Sequence, residues 1–368
     1  MTTLNERSSE VASEVTTVPR VARAPRKIRR LTPDDWTSLL GSIFASLAFV
    51  TIVYAHLLNF SGTLGFLASW YVVFVATYAA ILRMANSRKI VIERLVTSTL
   101  YLAALVVIGA LVSTVLYTFF NGFRAYIHLN FFTHDMSGVS PAAPLTQGGI
   151  LHAIVGTTIE VGIAVVVSLP LGVGTAVYLS EVGGKWSQSV RTVVEAMTAL
   201  PEILAGLFVY VVLIVYFGLP KTGLAASVAM AVTMVPIIAR ASEVALRVVP
   251  NGLREASEAL GATHWRTVYK VVLPSARAGL ATAAILAIAR GIGETAVPLI
   301  TSGASSFMNF NPVKNPMNSL PLYIYTSYTT HEPTAITRAF GAASVLLAMV
   351  VVLFVTTRIL SRDKGAQR

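Results

Sequence analysis

The sequence predicts an all-α integral membrane protein with about eight transmembrane helices. Apolar residues make up 55% of the 368-residue chain and charged residues only 12%, whereas about 25% of the residues in an average soluble domain are charged. Nearly charge-free stretches also recur at lengths close to the roughly 20 residues that cross a bilayer as a helix. The predicted spans are 36–58, 62–82, 95–119, 150–180, 193–217, 223–249, 278–300 and 336–360.

The distribution of basic residues predicts how these helices are oriented. If the eight spans alternate, 23 of the 28 Lys and Arg residues fall on one side of the membrane. Short cytoplasmic segments carry an excess of Lys and Arg, so this side is predicted to be the cytoplasm, with both termini in it. Because topology accounts for the net charge of +11, no nucleic-acid partner is expected. The protein is expected in the cell membrane, where its basic tail can also contact lipid headgroups.

The spans divide the chain into five predicted segments. Residues 1–35 form a disordered basic cytoplasmic tail that is too long and too charged for a typical cleaved signal peptide. Residues 36–119 hold N-terminal transmembrane helices, and residues 120–147 form an irregular extracytoplasmic loop. Residues 148–360 form a core that carries every motif described below, and residues 361–368 form a cytoplasmic tail. The chain contains no cysteine, so it has no disulfide or thiol chemistry.

The most informative motif lies in a charged loop at residues 250–277, between the sixth and seventh spans. The loop reads Glu255-Ala256-Ser257-Glu258-Ala259-Leu260-Gly261, then nine residues, then Val271-Val272-Leu273-Pro274. Glutamate and alanine favour a short surface helix whose small faces a partner can approach. Gly261 permits a turn with positive φ, and Pro274 breaks the chain before the next membrane helix. We interpret the loop as a rigid knob on which another protein pushes, rather than as a merely solvated connector.

Three charged residues stand out inside the predicted spans: Arg290 and Glu294 in the seventh and Glu160 in the fourth. A charge at the bilayer centre costs about 2.5–3.5 kcal/mol on insertion scales, so each of them needs a partner or a function. Arg290 and Glu294 are four residues apart and can pair on one helical face. The functional interpretation is a polar constriction in which Arg290 attracts an oxyanion and Glu294 holds the Arg290 side chain in place. The alternative is a structural ion pair between packed helices.

Two other carboxylates have open or local roles at this stage. Glu160 can accept hydrogen bonds from hydroxyls of a neighbouring helix, and a structural role and a pathway role are equally compatible with its position. Glu202 follows Pro201 and is predicted to lie in the first turn of a helix, where the helix dipole favours a carboxylate.

Several chemistries find no matching residues. The sequence Gly183-Gly184-Lys185-Trp186 lacks the spacing and the hydroxyl of a nucleotide-binding P-loop. The six histidines are scattered, with no pair at metal-ligand spacing on one helix. No Ser, His and Asp set lies at a plausible nucleophile turn. We therefore predict no catalytic residue, no metal ligand and no cofactor bound by this chain.

The charged loop resembles the EAA loop of binding-protein-dependent ABC-importer permeases, with Ser257 and Val271 as small departures from the commonest residues. From residue 148 onward the chain resembles the membrane subunit of phosphate-importing ABC transporters, of the PstA type. That resemblance rests on three further stretches of sequence. They are Ala199-Leu200-Pro201-Glu202-Ile203-Leu204-Ala205-Gly206, Gly291-Ile292-Gly293-Glu294-Thr295-Ala296 and Ser319-Leu320-Pro321-Leu322-Tyr323-Ile324.

The resemblance implies a permease core of the type I importer kind, preceded here by extra N-terminal helices. It also implies a division of labour among several proteins. An extracytoplasmic binding protein delivers inorganic phosphate, a second PstC-like permease subunit completes the pathway, and two ABC ATPase subunits bind ATP and magnesium. The loop residues that would meet an ATPase or shape the loop are Glu255, Ala256, Ser257, Glu258, Ala259, Gly261, Leu273 and Pro274. Arg290, Glu294 and Glu160 would line the substrate pathway.

Two alternatives stay open. One is a permease for another oxyanion, such as molybdate or sulfate, because nothing in the residue chemistry alone fixes the substrate. The other is an ion-coupled secondary transporter that works without ATPase subunits. Such a transporter should show broken helices in corresponding halves of the chain, and the sequence shows no such paired interruption.

Overall fold

The computed structural model describes residues 33–57 and 62–360. The predicted cytoplasmic tail at 361–368, and all but the last three residues of the one at 1–35, lie outside the described residues. Within the described ranges the protein is helical, and the only strand-like pairing is a single bridge between Gly303 and Met317.

The helices longer than five residues are numbered α1 to α12 in chain order. They are α1 Pro33–Ile52, α2 Thr63–Ala85, α3 Arg88–Tyr126, α4 Leu151–Val177, α5 Ser187–Ala199, α6 Glu202–Val209, α7 Gly223–Arg247, α8 Asn251–Ala259, α9 Arg277–Ile292, α10 Ala296–Thr301, α11 Leu320–Thr329 and α12 Pro333–Leu360. Short helices at Asn130–Thr133, His264–Thr267 and Leu273–Ser275 are not numbered. π-helical segments Val53–Leu57, Tyr178–Val182, Tyr210–Tyr216 and Val268–Val272 extend α1, α4, α6 and the short helix at His264–Thr267.

The chain forms two compact units that divide at Gly109, inside α3. In the N-terminal unit α1, α2 and the start of α3 pack around a small apolar cluster. Phe74, Tyr78 and Leu82 on one face of α2 are buried there with Val91 of α3. The rings of Phe74 and Tyr78 stack with their centroids 5.7 Å apart.

The core of the C-terminal unit lies between α4, α7 and α9. Small residues let the backbones approach closely, which drives helix association in membranes where the hydrophobic effect is absent. A Cβ added to Gly172 of α4 would lie 2.6 Å from Cβ of Ile238 on α7, and one added to Gly279 of α9 would lie 2.5 Å from Cβ of Ala245. Met230 and Met234 of α7 fill the remaining space of this core.

The number of membrane spans agrees with the prediction only when broken helices are counted. Among the described residues, six helices are long and apolar enough to cross a membrane, and the number rises to eight if each of two bent pairs forms one span. The first bent pair, Ser187–Ala199 with Glu202–Tyr216, turns by 103°. The second pair, His264–Ser275 with Arg277–Ile292, turns by 69°.

The predicted fifth span, 193–217, is therefore wrong as one continuous helix. Leu200 adopts an extended conformation with ψ 130°, and Pro201 follows it. The residue before a proline is pushed out of the helical region, so this dipeptide ends α5 and begins α6.

The predicted seventh span, 278–300, is also interrupted. Helix α9 ends at Ile292, and α10 begins at Ala296. Pro298 lies in the first turn of α10, where its missing N–H needs no partner, whereas in the interior of a continuous helix it would remove a hydrogen bond. The predicted boundary between the N-terminal helices and the loop at 120–147 also differs, because α3 continues to Tyr126, into the segment predicted as an irregular loop.

Candidate functional site

The charged loop contains the predicted surface helix, α8, and the helix exposes the predicted face. Glu255, Ala256, Glu258 and Ala259 are all exposed, and no residue of α8 is fully buried. Arg254 is half-buried and points away from that face. A row of carboxylates and methyl groups is thus exposed on this helix.

Hydrogen bonds fix the turn that follows α8. Gly261 adopts φ +82°, as the sequence predicts, and its N–H donates to the Glu258 carbonyl at 2.9 Å. A Cβ at this position would meet nothing within 4 Å, so the backbone conformation and not space requires glycine. The Ser257 and Thr267 hydroxyls lie 2.9 Å apart and close the turn onto the returning chain.

An apolar cluster attaches the base of the loop to the membrane helices. Val249 and Val272 from the two ends of the loop are buried with Leu246 of α7 and Ala176 of α4, and Leu273 packs against them. Pro274 is exposed and lies in the short helix directly before the 69° bend into α9, which agrees with its predicted role as a break.

Arg254 links α8 to two membrane helices, which the sequence analysis missed. Its Nε and Nη2 donate to both oxygens of Glu181, in the π-helical end of α4, at 3.1 and 2.8 Å. Its Nη1 donates to the Val249 carbonyl at 2.7 Å, and Nη2 also donates to the Leu246 carbonyl at 3.1 Å. The hydrogen bonds to Glu181 raise the pKa of Arg254 above its ordinary value.

His264 adds a second contact at the same place. Its Nε2 lies 3.0 Å from the backbone carbonyl oxygen of Glu181, and its Nδ1 lies 3.5 Å from the Glu258 carboxylate. Glu181 precedes Arg254 by 73 residues, so no local spacing rule could have identified the pair. The Glu181 carboxylate is only 3% exposed. Because a buried carboxylate needs a charged or hydrogen-bonding partner, this burial, seen only in the structure, is what indicates the contact.

The second candidate site surrounds Arg290. The prediction that Arg290 pairs with Glu294 is wrong, because α9 ends at Ile292 and the two residues do not share a helical face. Arg290 instead forms an ion pair with Glu202 in the first turn of α6. The placement of Glu202 in a first helical turn is confirmed, and its partner was missed because it lies on a separate helix.

The ion pair lines a cavity of about 360 Å³ between α5, α6, α7 and α9. The Arg290 side chain is 52% exposed and that of Glu202 30% exposed. Thr198, Thr233 and Leu286 contribute to the rest of the wall. A guanidinium that can be reached from this space can bind an anion with two parallel hydrogen bonds.

Glu294 and Glu160 lie elsewhere. Glu294 is buried, and its carboxylate accepts the Ala296 N–H at 3.1 Å, which caps the start of α10. Glu160 is fully buried in α4 and accepts a hydrogen bond from the Ser302 hydroxyl, as the sequence suggested for a neighbouring hydroxyl. The same hydroxyl lies 2.7 Å from the Met317 carbonyl oxygen. Neither carboxylate lines the cavity at Arg290.

No group of three or more His, Asp or Glu side chains that could hold a metal ion occurs among the described residues.

Comparison with known proteins places this geometry among transport proteins. Residues 168–364 match the family model described as "Binding-protein-dependent transport system inner membrane component". The chain is 38% identical over 247 residues to the phosphate transport system permease protein PstA 1 of Mycobacterium tuberculosis, covering 65% of this chain and 81% of that protein. It is 35% identical over 273 residues to PstA of Mycobacterium leprae, covering 74% and 89%.

A solved structure shares the fold. A bacterial alginate ABC transporter, crystallised with an alginate pentasaccharide-bound periplasmic protein, contains a chain that superimposes with a TM-score of 0.54. The match covers 75% of this chain and 98% of that one at 15% sequence identity.

Proposed function

The chain belongs to the family of binding-protein-dependent transport system inner membrane components, and we propose that it is the permease subunit of an ATP-driven importer of inorganic phosphate. It is a multi-pass membrane protein of the importer-permease fold. The observation that carries the proposal is α8: an exposed row of carboxylates and alanines, fixed to the ends of the membrane helices. The phosphate permeases of two mycobacteria, at 38% and 35% identity, support the choice of substrate.

The charged loop lies on the cytoplasmic side, and both termini lie there too. The excess of Lys and Arg on this side supports that orientation. In the assembled importer α8 enters a groove of an ABC ATPase subunit, with Glu255 and Glu258 facing the partner. Closure of the ATPases on nucleotide then moves the loop as a rigid body. ATP and magnesium belong to these partner subunits, and this chain contributes no cofactor.

Phosphate passes the cavity that Arg290 and Glu202 line. Arg290 offers the planar fork of donors that matches an oxyanion, and Glu202 occupies that fork when no anion is present. An arriving phosphate displaces Glu202, so binding is weakened by the broken ion pair and release is eased. Glu294 acts indirectly, because its hydrogen bond to the Ala296 N–H stabilises the start of α10, just beyond the point where α9 ends, two residues after Arg290.

The remaining partners complete the path. A second, PstC-like permease subunit supplies the opposite wall, and an extracytoplasmic binding protein delivers phosphate. Glu160 holds the segment after α10 through Ser302, and its role in the path is the least direct of the three predicted pathway residues.

The proposal is tested by reconstituting the chain in liposomes with its ATPase, second permease and binding protein, and by measuring uptake of radiolabelled phosphate. Uptake should require ATP and all four components, and excess unlabelled molybdate or sulfate should not compete. Competition by either anion would assign another oxyanion. Uptake by the chain alone would instead indicate an ion-coupled secondary transporter.

A further inference from the structure

Helix α8 has few direct connections to the membrane helices. Its Ser257 and Glu258 side chains reach the returning part of the loop, through Thr267 and His264. Arg254 reaches past that segment to α4 and α7. It is therefore the side chain of α8 that joins the surface helix directly to the bundle.

The Arg254 contacts are built for rigidity. A guanidinium that binds both carboxylate oxygens of Glu181 fixes the relative orientation of two helices as well as their distance. The additional hydrogen bonds to the Leu246 and Val249 carbonyls satisfy the C-terminal end of α7, where backbone acceptors lack helical partners. Three elements, α4, α7 and α8, thus meet at one side chain.

Lysine could not replace this arginine without loss. An ammonium group is a point charge, whereas Arg254 uses a planar fork to serve a carboxylate and two carbonyls at once. The Glu181 side chain is 3% exposed and that of Arg254 19% exposed, so water cannot readily substitute for either partner.

The membrane helices beyond this contact pack closely against one another. The close approach of Gly172 to Ile238 ties α4 to α7, and that of Gly279 to Ala245 ties α9 to α7. A displacement of α8 that is transmitted to the ends of α4 and α7 therefore reaches α9, which carries Arg290.

We propose that the Arg254–Glu181 pair is the positioning contact that transmits movement of α8 to α4 and α7 during the transport cycle. Arg254 and Glu181 do not line the cavity at Arg290, and His264 supports the pair through the Glu181 carbonyl. The inference rests on the proposed function, since it assigns a mechanical role within the same importer.

The first test compares Arg254→Gln, Glu181→Gln, the double variant and the conservative Arg254→Lys in the reconstituted importer. Each variant should assemble with the ATPase and hydrolyse ATP normally, while phosphate transported per ATP falls by about tenfold or more, the loss expected for one charge-assisted pair. The double variant should be no worse than either single variant, because both remove the same interaction. Lys185→Gln, which removes an exposed charge near the same end of α4, should transport normally.

The second test does not depend on the substrate. The chain contains no cysteine, so spin labels can be placed selectively at Val182→Cys and Leu260→Cys, both exposed positions. In the assembled complex the distribution of distances between the labels should be narrow, and nucleotide should not change it. Arg254→Gln should broaden this distribution. If the complex transports no phosphate but Arg254→Gln still broadens the distance distribution, the proposed substrate is wrong and the role of Arg254 in transmission still holds.

Two results would overturn the inference. One is normal transport per ATP in Arg254→Gln together with an unbroadened distance. The other is a parallel loss of assembly, ATP hydrolysis and transport in all the variants, including Arg254→Lys, because that pattern marks a residue needed only for folding.

Discussion

Replacing Arg290 with Gln separates the two interpretations of its ion pair with Glu202. If the pair is structural, the substitution should lower stability and transport together. If Arg290 binds phosphate on its way through the membrane, transport should fall while the fold persists. The geometry of the pair allows both effects to be estimated in advance.

The expected effect on stability is small. The Arg290 side chain is 52% exposed and that of Glu202 30% exposed, and ion pairs so accessible to water contribute about 1 kcal/mol at most. A change of that size shifts the melting temperature by roughly 2–4 °C in a chain of a few hundred residues. Thermal unfolding of the purified Arg290→Gln variant in detergent measures this shift.

The expected effect on transport is much larger. Hydrogen bonds from a guanidinium to an anion contribute about 1.5–3 kcal/mol, which corresponds to roughly a 10- to 100-fold loss of phosphate uptake at low substrate concentration. Arg290→Lys keeps the charge but loses the two parallel donors, so its uptake should lie between that of the wild type and Arg290→Gln. Uptake of radiolabelled phosphate into proteoliposomes, at equal protein content, provides the measurement.

Arg247→Gln is the matched control. The Arg247 side chain is 58% exposed and its Nη2 lies 2.7 Å from Oε1 of Glu243, but it does not line the cavity at Arg290. Arg247→Gln should therefore lower the stability about as much as Arg290→Gln does and leave phosphate uptake near the wild-type rate. Normal uptake by Arg290→Gln would refute the role of this side chain in the path, and a melting temperature lowered far beyond the expected range would assign it to structure.

Three further substitutions test the loop and the helix packing. Glu255→Lys should abolish capture of the ATPase subunit in a pull-down without changing the melting temperature, because Glu255 is exposed on α8; retained capture would contradict the assigned face. Gly261→Ala should weaken capture of the ATPase subunit and transport, because φ +82° costs an L-residue about 1–2 kcal/mol. Gly261→Asn should have a milder effect, because Asn adopts this conformation more readily than Ala. Equal effects of the two substitutions would argue against a conformational cause. Gly172→Leu should lower stability by about 1–3 kcal/mol or more, since its side chain would overlap Ile238, and an unchanged thermal transition would show that α4 and α7 are not held at this distance.

The features that could be predicted from the sequence are those determined by residues close together along the chain. The surface helix at Glu255 and the left-handed turn at Gly261 follow from local propensity and from the conformational freedom of glycine, and the structure contains both. The positions of the apolar spans follow from composition in the same way, since a hydrophobic stretch of given length has few alternatives in a bilayer.

Helix breaks inside apolar stretches were missed because hydrophobicity does not register them. The bend between α5 and α6 and the gap between α9 and α10 both lie in segments whose overall apolar composition predicted single spans. Pro201 and Pro298 carried the signal in each case. Each proline suits the start of a new helix better than the interior of a continuous one, and the predicted spans ran through both.

The partners of these charged side chains were also beyond the sequence. Arg290 could pair with Glu294 by spacing, but the choice of Glu202 depends on how α6 and α9 pack. The contact between Arg254 and Glu181 depends in the same way on the meeting of α8 with the end of α4. Spacing rules apply along one helix, whereas these pairs form between helices, so only a three-dimensional arrangement can select them.

The position of the Arg290–Glu202 pair gives the loop a means of acting on the path. Glu202 lies on α6, which follows the sharp bend at Pro201, whereas Arg290 lies near the end of α9, directly after the charged loop in the chain. Because Gly279 and Gly291 hold α9 tightly against α7, movement of the loop shifts α9 with α7, and α6 need not follow at the same angle. Under the proposed function, the distance between guanidinium and carboxylate would then change during the cycle, and Arg290 would face either Glu202 or a phosphate ion according to the state of the ATPases.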